Sequence, residues 1–528
     1  GKQPLVSTLQ PAMGKMTKAS NLGDVMLYAA FEDNPPAKKY KNYLIANLAE
    51  MRGIADEIKW TETLQQGGNF GLTAKPVNNQ KIPSSEDLAD ILTKNPELPK
   101  SDLAFAAMPS IRFFDGRGAN KPWLCEIPDP LSCIAWQTPV IMNPKTAGAN
   151  GINQEDIIEL QTEFGKLEAA VYVSELIKPG LAVMSIGQGH KAYGRSARDT
   201  GVNPLQLLSA NVYPDSGGAG LNVAEVTIKK TGRTQKLAST SGSLTQHGRT
   251  FALSVTLAQL KKPESHHGKG LTMGDFPLTL PLPEGYDPQR DFYPPHDHED
   301  YRWGMVVDLD KCIGCGACAA ACYAENNIGV VGVERVLEGR EMGWLNIVRY
   351  HAEDDMEKVT FLPMMCQHCD NAPCEAVCPV YAPHHSKEGL NNQIYNRCIG
   401  TRYCVQNCPY KVRRFNWFDW KWPEPMNQQL NPDVTVRSKG VMEKCSFCIQ
   451  RIKTARSIAK NEKRKIRDGE VTPACVQTCP THALVFGSLM DKESRVRKLV
   501  DDPRAYQAIG YVNTKPAVIY LKKVVHEI

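Results

Sequence analysis

Cys312-Ile313-Gly314-Cys315-Gly316-Ala317-Cys318-Ala319-Ala320-Ala321-Cys322 decides the fold. Three thiolates spaced by two residues reach three corners of an iron–sulfur cubane from one curled loop. A fourth thiolate, three residues on, starts a helix and points away, so in two-cluster ferredoxins it ligates the other cluster. Gly314 and Gly316 let the backbone wrap closely and aim N–H groups at the sulfurs. Of seventeen cysteines, all but Cys125 and Cys133 lie between Cys312 and Cys479, a density no hydrophobic core requires.

Three more clusters follow. The second is Cys366-x2-Cys369-x4-Cys374-x3-Cys378-Pro379 and the third Cys398-x5-Cys404-x3-Cys408-Pro409. The fourth is split into Cys445-x2-Cys448 and, after a basic insertion, Cys475-x3-Cys479-Pro480. Four motifs make two ferredoxin-like pairs sharing ligands crosswise. The second and third are near in sequence, so the first and fourth enclose them. Under this nested scheme Cys312, Cys315, Cys318 and Cys479 hold one 4Fe-4S cluster. Cys322, Cys445, Cys448 and Cys475 hold another, and Cys366, Cys369, Cys374 and Cys408 a third. The last set, Cys378, Cys398 and Cys404, is one thiolate short, because Thr401 stands where a cysteine belongs. A hydroxyl is a poor iron ligand beside thiolates, so a 3Fe-4S cluster is expected there. Four structural zinc sites are the competing reading; zinc wants four ligands per site, and the rhythm ending in Cys-Pro is not that of a zinc ribbon. Cys125 and Cys133 read as buried, inert thiols.

The remaining chemistry is sparse. Lys/Arg and Asp/Glu nearly balance, at a net charge of +5 over 528 residues, which argues against nucleic acid as the main partner. No uninterrupted apolar run of about 18 residues spans a bilayer. No Ser/His/Asp set, paired-carboxylate site or phosphate loop stands out, so no catalytic residue is assigned; Gly187-Gln188-Gly189 with Gly194 lacks the nucleotide fingerprint. The chain opens at Gly1 rather than Met, which points to a processed or missing upstream portion.

Four regions are expected, in an α+β fold class. Residues 1–133 read as mixed α/β structure, with helices over Asp24–Phe31 and Tyr40–Met51 and a capped start at Ser84-Ser85-Glu86-Asp87. Residues 134–257 read as a small closed β-barrel, with a hairpin of 156–164 and 167–173 around Gly165-Lys166 and further strands at Leu181–Ile186, Val223–Ile228 and Thr250–Leu257. Residues 258–300 are a Pro-rich linker. Residues 301–528 form the four-cluster domain, closing on an apolar strand at Ala517–Leu521.

The cysteine motifs resemble the four-cluster electron-transfer subunits of the dimethyl sulfoxide and polysulfide reductase superfamily. Longer stretches are similar to the large iron–sulfur subunit of bacterial alternative complex III: 301–310, 391–418 with Cys408-Pro409-Tyr410-Lys411-Val412-Arg413-Arg414-Phe415, and 431–445. Upstream, Phe114-Asp115-Gly116-Arg117, Ala119-Asn120, Trp123-Leu124 and Glu126-Ile127-Pro128-Asp129-Pro130 resemble the same subunit. That resemblance implies a molybdopterin-oxidoreductase-like region without molybdenum cofactor, the 134–257 barrel being molybdopterin-dinucleotide-binding-like. It implies three 4Fe-4S clusters and one 3Fe-4S cluster. It implies a complex on the periplasmic face of the inner membrane that oxidises quinol and passes electrons to c-type cytochromes. The expected partners are quinol-binding integral membrane subunits and multihaem and monohaem c-type cytochrome subunits, with no transmembrane helix on this chain. Residues 1–300 resemble only the later part of the molybdopterin-like region, and the family's twin-arginine export signal is not in this sequence. Electrons are expected to enter at the three-thiolate site. The alternatives are the electron-transfer part of a polysulfide or dimethyl sulfoxide reductase-type molybdoenzyme, which metal analysis separates, and a structural scaffold.

Other features have plain readings. Phe415 to Trp422 holds five aromatics in eight residues, expected to dock a membrane partner or else to shield a cluster. The basic run Lys453–Arg467 reads as a solvated helix. His266-His267 and His384-His385 are neighbours that cannot face one site, and read as surface or core residues.

Overall fold

The computed structural model describes residues 6–7, 20–31, 34–52, 57–69, 102–210, 217–223, 225–241, 243–261, 296, 298, 300–352 and 355–525. The chain divides into two compact units, Gly1–Glu97 and Leu98–Ile528. The first holds helices Leu22–Ala30, Tyr40–Arg52 and Glu57–Gln66. Asn21 caps the first helix by accepting from Gly23 N at 2.8 Å. Two of these helices stand where apolar periodicity puts them. The expected start at Ser84, the pair His266-His267 and most of the Pro-rich stretch lie outside the described residues.

The second unit begins with a seven-stranded sheet. Its order across the sheet is Asn222–Val223, Ala104–Pro109, Leu181–Ile186, Val140–Met142, Lys166–Val173, Asp156–Gln161 and Thr227–Thr234. The hairpin around Gly165 forms as expected, pairing Gln161 with Lys166 and Ile157 with Ala170. Alternation buries Ile158 and Leu160 from one strand against Leu167, Ala169 and Val171 from its partner.

Closure of the barrel is where the structure departs from expectation. The two edge strands are consecutive in sequence, separated only by residues 224–226, yet lie at opposite ends of the strand order and are not paired with each other. Seven flat strands at about 4.8 Å spacing would hold those edges roughly 29 Å apart, whereas the link spans at most about 14 Å. The sheet therefore curls until its edges approach, without a closing ladder among the described residues. The strand expected over Val223–Ile228 is accordingly split in two. The sheet also draws Ala104–Pro109 from upstream of residue 134. The strand expected at Thr250–Leu257 shortens to Ser254–Thr256 and pairs in parallel with Lys523–Val525, outside this sheet. A short apolar strand fits either partner equally well, and the choice is a long-range one.

The cysteine-rich region rests on a four-stranded sheet ordered Leu484–Ser488, Trp303–Asp308, Val518–Leu521 and Ala505–Tyr506. Every residue of Trp303–Asp308 is buried, as a central strand covered on both faces must be. Val306 turns to one side, packing with Ile519, Leu521, Val496 and Val500. Met305 and Val307 turn to the other, facing Phe486, Tyr520 and the cysteine loops. The strand expected at Ala517–Leu521 forms at Val518–Leu521. A hairpin, Asn346–His351 with Val359–Met364, separates the first two cysteine motifs.

Candidate iron–sulfur centres

The four cysteine loops repeat one backbone form. Gly314, His368, Gly400 and Phe447 each stand two residues past the first cysteine of a motif, and all are left-handed, with φ of 69°, 44°, 76° and 53°. Tyr381, Lys411 and His482 each stand three residues past the cysteine of a Cys-Pro pair, with φ of 49°, 53° and 52°. A non-glycine residue in that region costs about 1–2 kcal/mol, so five such residues at equivalent places mark an imposed geometry. The result is that backbone N–H groups point at sulfur. Ala382 N donates to Cys378 Sγ at 3.4 Å, Met442 N to Cys398 Sγ at 3.4 Å, Phe447 N to Cys445 Sγ at 3.4 Å and Ala483 N to Cys479 Sγ at 3.2 Å.

All seventeen thiols are free of disulfides. Burial and crowding raise many of them together. Burial pushes Cys312 up to about 11, and the thiols of Cys479 and Cys315 add to this against a hydrogen bond from Gly314. Burial raises Cys318, with Cys312, Cys315 and Cys479 adding. Cys322 and Cys475 lie well above their ordinary value through burial first and then through Cys445 and Cys448. Cys369 is raised by burial and by Cys366, Cys408 and Cys374. Thiols far apart in sequence thus share their surroundings, Cys479 with the first motif and Cys475 with Cys322, Cys445 and Cys448. The helix Pro373–Ala376, which bears Cys374 and ends two residues before Cys378, packs on Tyr403–Asn407, which bears Cys404. Helix Ala317–Glu325 likewise packs on Ala474–Thr478, joining the first motif to the fourth.

Thiols of different groups also act on one another. Cys318 adds to the rise of Cys322 and Cys475. Cys366 does so for Cys445. Arg413 lies among Cys366, Cys374 and Cys408 of one group and Cys404 of the next. The only half-buried cysteines are Cys312, Cys315, Cys378 and Cys398; the other thirteen are buried.

Neutral thiols crowded in a dry interior become thiolates only with positive metal charge among them. That chemistry fits iron–sulfur clusters. Thiolates of a cubane bind separate iron corners.

Thr401 is exposed and sits between Gly400 at φ 76° and Arg402 at φ 64°. Cys315 sits between Gly314 at 69° and Gly316 at 75°. The third-motif loop keeps the backbone of a complete ligand loop while lacking its sulfur.

Several supporting residues gave no sequence signal. Glu443, 1% exposed, accepts from Arg437 Nη2 at 2.8 Å, Trp344 Nε1 at 3.1 Å and Asn416 Nδ2 at 3.1 Å. Arg437 also donates from Nη1 to Asn326 O at 2.8 Å, tying the chain after Cys322 to the chain before Cys445. Asn326 Nδ2 reaches Cys322 Sγ at 3.5 Å and Cys448 Sγ at 3.9 Å. Asp370, beside Cys369, pairs with Arg302, with His385 at 3.1 Å and with His298 at 3.3 Å. His385 Nδ1 meets Glu375 at 3.0 Å, while His384 faces outward, as neighbours on a strand must. Such long-range pairs carry no local pattern; only buried polar residues beside ligands could have hinted at them.

Other expectations resolve simply. Cys125 and Cys133 are buried, and burial holds Cys125 up at about 12. The helix expected over Lys453–Arg467 starts earlier and ends sooner, at Ile449–Asn461, and buries Ile452, Ala455 and Ala459. The aromatic run is half-buried against the chain itself. Trp420 covers Gly329, Trp422 meets Trp123 edge-on at 6.3 Å, and Arg340 and Arg402 lie over Trp417 at 4.7 and 4.8 Å. This packing favours shielding over docking. Among the described residues no helix is long and apolar enough to cross a membrane.

Comparison with known proteins agrees with this chemistry. A molybdopterin dinucleotide binding domain model matches residues 132–225, and two 4Fe-4S dicluster domain models match 311–382 and 357–423. The chain is 42% identical over 228 residues to the menaquinone reductase iron-sulfur cluster-binding subunit of Nitratidesulfovibrio vulgaris, covering 42% of this chain and 89% of that protein. It is 33% identical over 248 residues to the Hdr-like menaquinol oxidoreductase iron-sulfur subunit 1 of Archaeoglobus fulgidus, covering 43% and 86%. It is 32% identical over 250 residues to the arsenate respiratory reductase iron-sulfur subunit ArrB of a Shewanella species, covering 42% and 96%.

Proposed function

The chain belongs to the family of menaquinone reductase and dimethyl sulfoxide reductase-type iron–sulfur subunits, and on that premise we propose that it is the electron wire of a membrane quinol-oxidising complex of the alternative complex III kind. Iron–sulfur clusters, where bound, supply one-electron relay without atom transfer. The chain's own part is to hold four groups of thiols in line, keep the two middle groups dry and leave the two ends near the surface.

The observation that carries this reading is cysteine burial: Cys312 and Cys315, at one end of the series we propose, and Cys378 and Cys398, at the other, are half-buried, and the rest are buried. At the three-thiolate end Tyr381, Ile399 and Tyr403 are 68%, 66% and 62% exposed; at the other, Ile313 is 55% exposed. We take the Cys378, Cys398 and Cys404 site as the entry, holding a 3Fe-4S cluster, and the Cys312 group as the exit. The remaining three groups hold 4Fe-4S clusters. The membrane partners would be quinol-binding subunits and the acceptors c-type cytochrome subunits, on the periplasmic face. The curled sheet would be a molybdopterin-region relic that carries no cofactor.

The match over residues 132–225 to a molybdopterin dinucleotide binding domain favours a second reading, the electron-transfer portion of a molybdoenzyme. Metal analysis of the complex purified from its membrane separates the two. Iron and sulfide without molybdenum or tungsten, with cluster reduction by a menaquinol analogue, supports the first. Stoichiometric molybdenum or tungsten supports the second.

A further inference from the structure

Buried cations in this protein are normally paired. Arg302 meets Asp370 and Arg437 meets Glu443. Arg349 donates to Leu131 O, to Ser243 O and to the Tyr172 hydroxyl. Arg413 differs: two of its three guanidinium nitrogens have no partner among the described residues. It is 2% exposed, and no carboxylate pairs with it among the described residues. Nη2 donates to Gln393 Oε1. Nε and Nη1 are buried and have no partner among the described residues. A desolvated guanidinium left like this costs several kcal/mol, and the missing partner must be anionic and close.

The surroundings identify it. Ionised to thiolates, Cys374, Cys404, Cys366 and Cys408 would each favour the charged guanidinium against its burial. Three of these belong to the Cys366 group. The fourth belongs to the three-thiolate site. Sequence placement explains how one side chain reaches both. Arg413 follows Cys408 by five residues; Cys404 lies on the short helix Tyr403–Asn407 and Cys408 caps its C-terminal end. Its neighbour Arg414 turns the other way, to Glu341 at 2.8 Å.

We propose that Arg413 is a positioning residue that bridges two redox sites, its free N–H groups donating to sulfur of the Cys366, Cys369, Cys374 and Cys408 cluster on one side and of the Cys378, Cys398 and Cys404 cluster on the other. This rests on those cysteines holding iron–sulfur clusters. A fixed positive charge stabilises the reduced, more negative state of each cluster. Hydrogen bonds to sulfur act in the same direction. Arg413 therefore keeps the entry pair of clusters easier to reduce than they would otherwise be, and does nothing for the Cys312 group. No proton moves, because guanidinium stays charged throughout.

The test is an EPR-monitored redox titration of the full chain, prepared without air, with Arg413 intact or changed to Gln or Lys. In Arg413→Gln the reduced-to-oxidised ratio at fixed potential should fall at least tenfold for both clusters flanking residue 413, equivalent to ~59 mV for a one-electron couple. The Cys312 cluster should not move. Arg413→Lys, which keeps charge and loses the fork, should shift both by less. Potentials unchanged in Arg413→Gln with iron retained would overturn the proposal, as would an equal shift of all four clusters. If the variants lose iron, unaltered protein labelled with 15N-arginine decides. Its oxidised three-iron signal should carry a weak nitrogen coupling, and absence of that coupling overturns the bridge. Absence of any three-iron signal in the unaltered protein would instead sink the functional reading beneath it.

Discussion

Glu126→Gln tests how the first cysteine motif is held against the chain upstream of it. Glu126 is 2% exposed. Its Oε1 accepts from Gly332 N at 2.7 Å, Val331 N at 2.8 Å and Trp136 Nε1 at 3.1 Å, and its Oε2 is buried without a partner among the described residues. Burial raises the carboxyl from 4.5 to about 7, against the three donors. A raised carboxyl means that the folded state holds the proton more tightly than the unfolded one. The stabilisation is complete below about pH 4.5 and is lost as pH rises through about 7. At ~1.4 kcal/mol for each tenfold change in proton affinity, the full loss is roughly 3 kcal/mol, of which about 2 kcal/mol falls between pH 5 and pH 7.5. Hydrogen exchange at the Val331 and Gly332 amides, corrected for intrinsic rates, should therefore show about thirtyfold less protection at pH 7.5 than at pH 5. Glu126→Gln keeps the accepting oxygen and removes the charge, so its protection should be flat with pH. A protonated carboxyl band near neutral pH, absent from the variant, is the infrared counterpart. The same pH dependence in both proteins would refute the reasoning.

Thr401→Cys should convert the three-iron signal to that of a four-iron cluster, because the backbone on either side of Thr401 already matches that at Cys315; Thr401→Ser should not, and an unchanged oxidised EPR signal in the cysteine variant would count against the ligand assignment. Cys322→Ser and Cys475→Ser should each perturb one and the same cluster, although 153 positions in sequence separate them; perturbation of two different reduced-state spectra would break the crosswise pairing. Gly329→Val would set a Cβ about 2.0 Å from the Trp420 ring, so Trp420 must move at a cost of about 1–3 kcal/mol. Iron–sulfur absorbance should then bleach at lower temperature while co-purification with a membrane partner persists; loss of the partner with clusters intact would restore the docking role of that aromatic run.

What the sequence made legible was local. Cysteine spacing encodes which thiols share a loop, and the Thr401 gap is visible because the rhythm around it is strict. The 156–173 hairpin and the helix at 449–461 follow from alternation and helical periodicity. What it left obscure was long-range. Nothing in Arg413-Arg414 says that one guanidinium turns inward among thiols and the other pairs with Glu341. Glu126, in a Pro-rich turn, reads as a surface acid until Val331 and Gly332 are brought to it. The strand at Ser254–Thr256 was recognisable, but its partner at Lys523–Val525 lies at the far end of the chain. The edges of the 134–257 sheet are not paired with each other among the described residues, for a similar reason: strand identity is written in the pattern, and edge pairing is not.

The most direct test of the account is iron, sulfide and zinc quantitation on the full chain purified without air, read together with EPR at oxidising and reducing potentials. The account predicts iron and sulfide at the level of three four-iron clusters and one three-iron cluster, with a three-iron signal when oxidised and four-iron signals when reduced. Zinc in place of iron, or a protein silent in EPR at every potential, would contradict it.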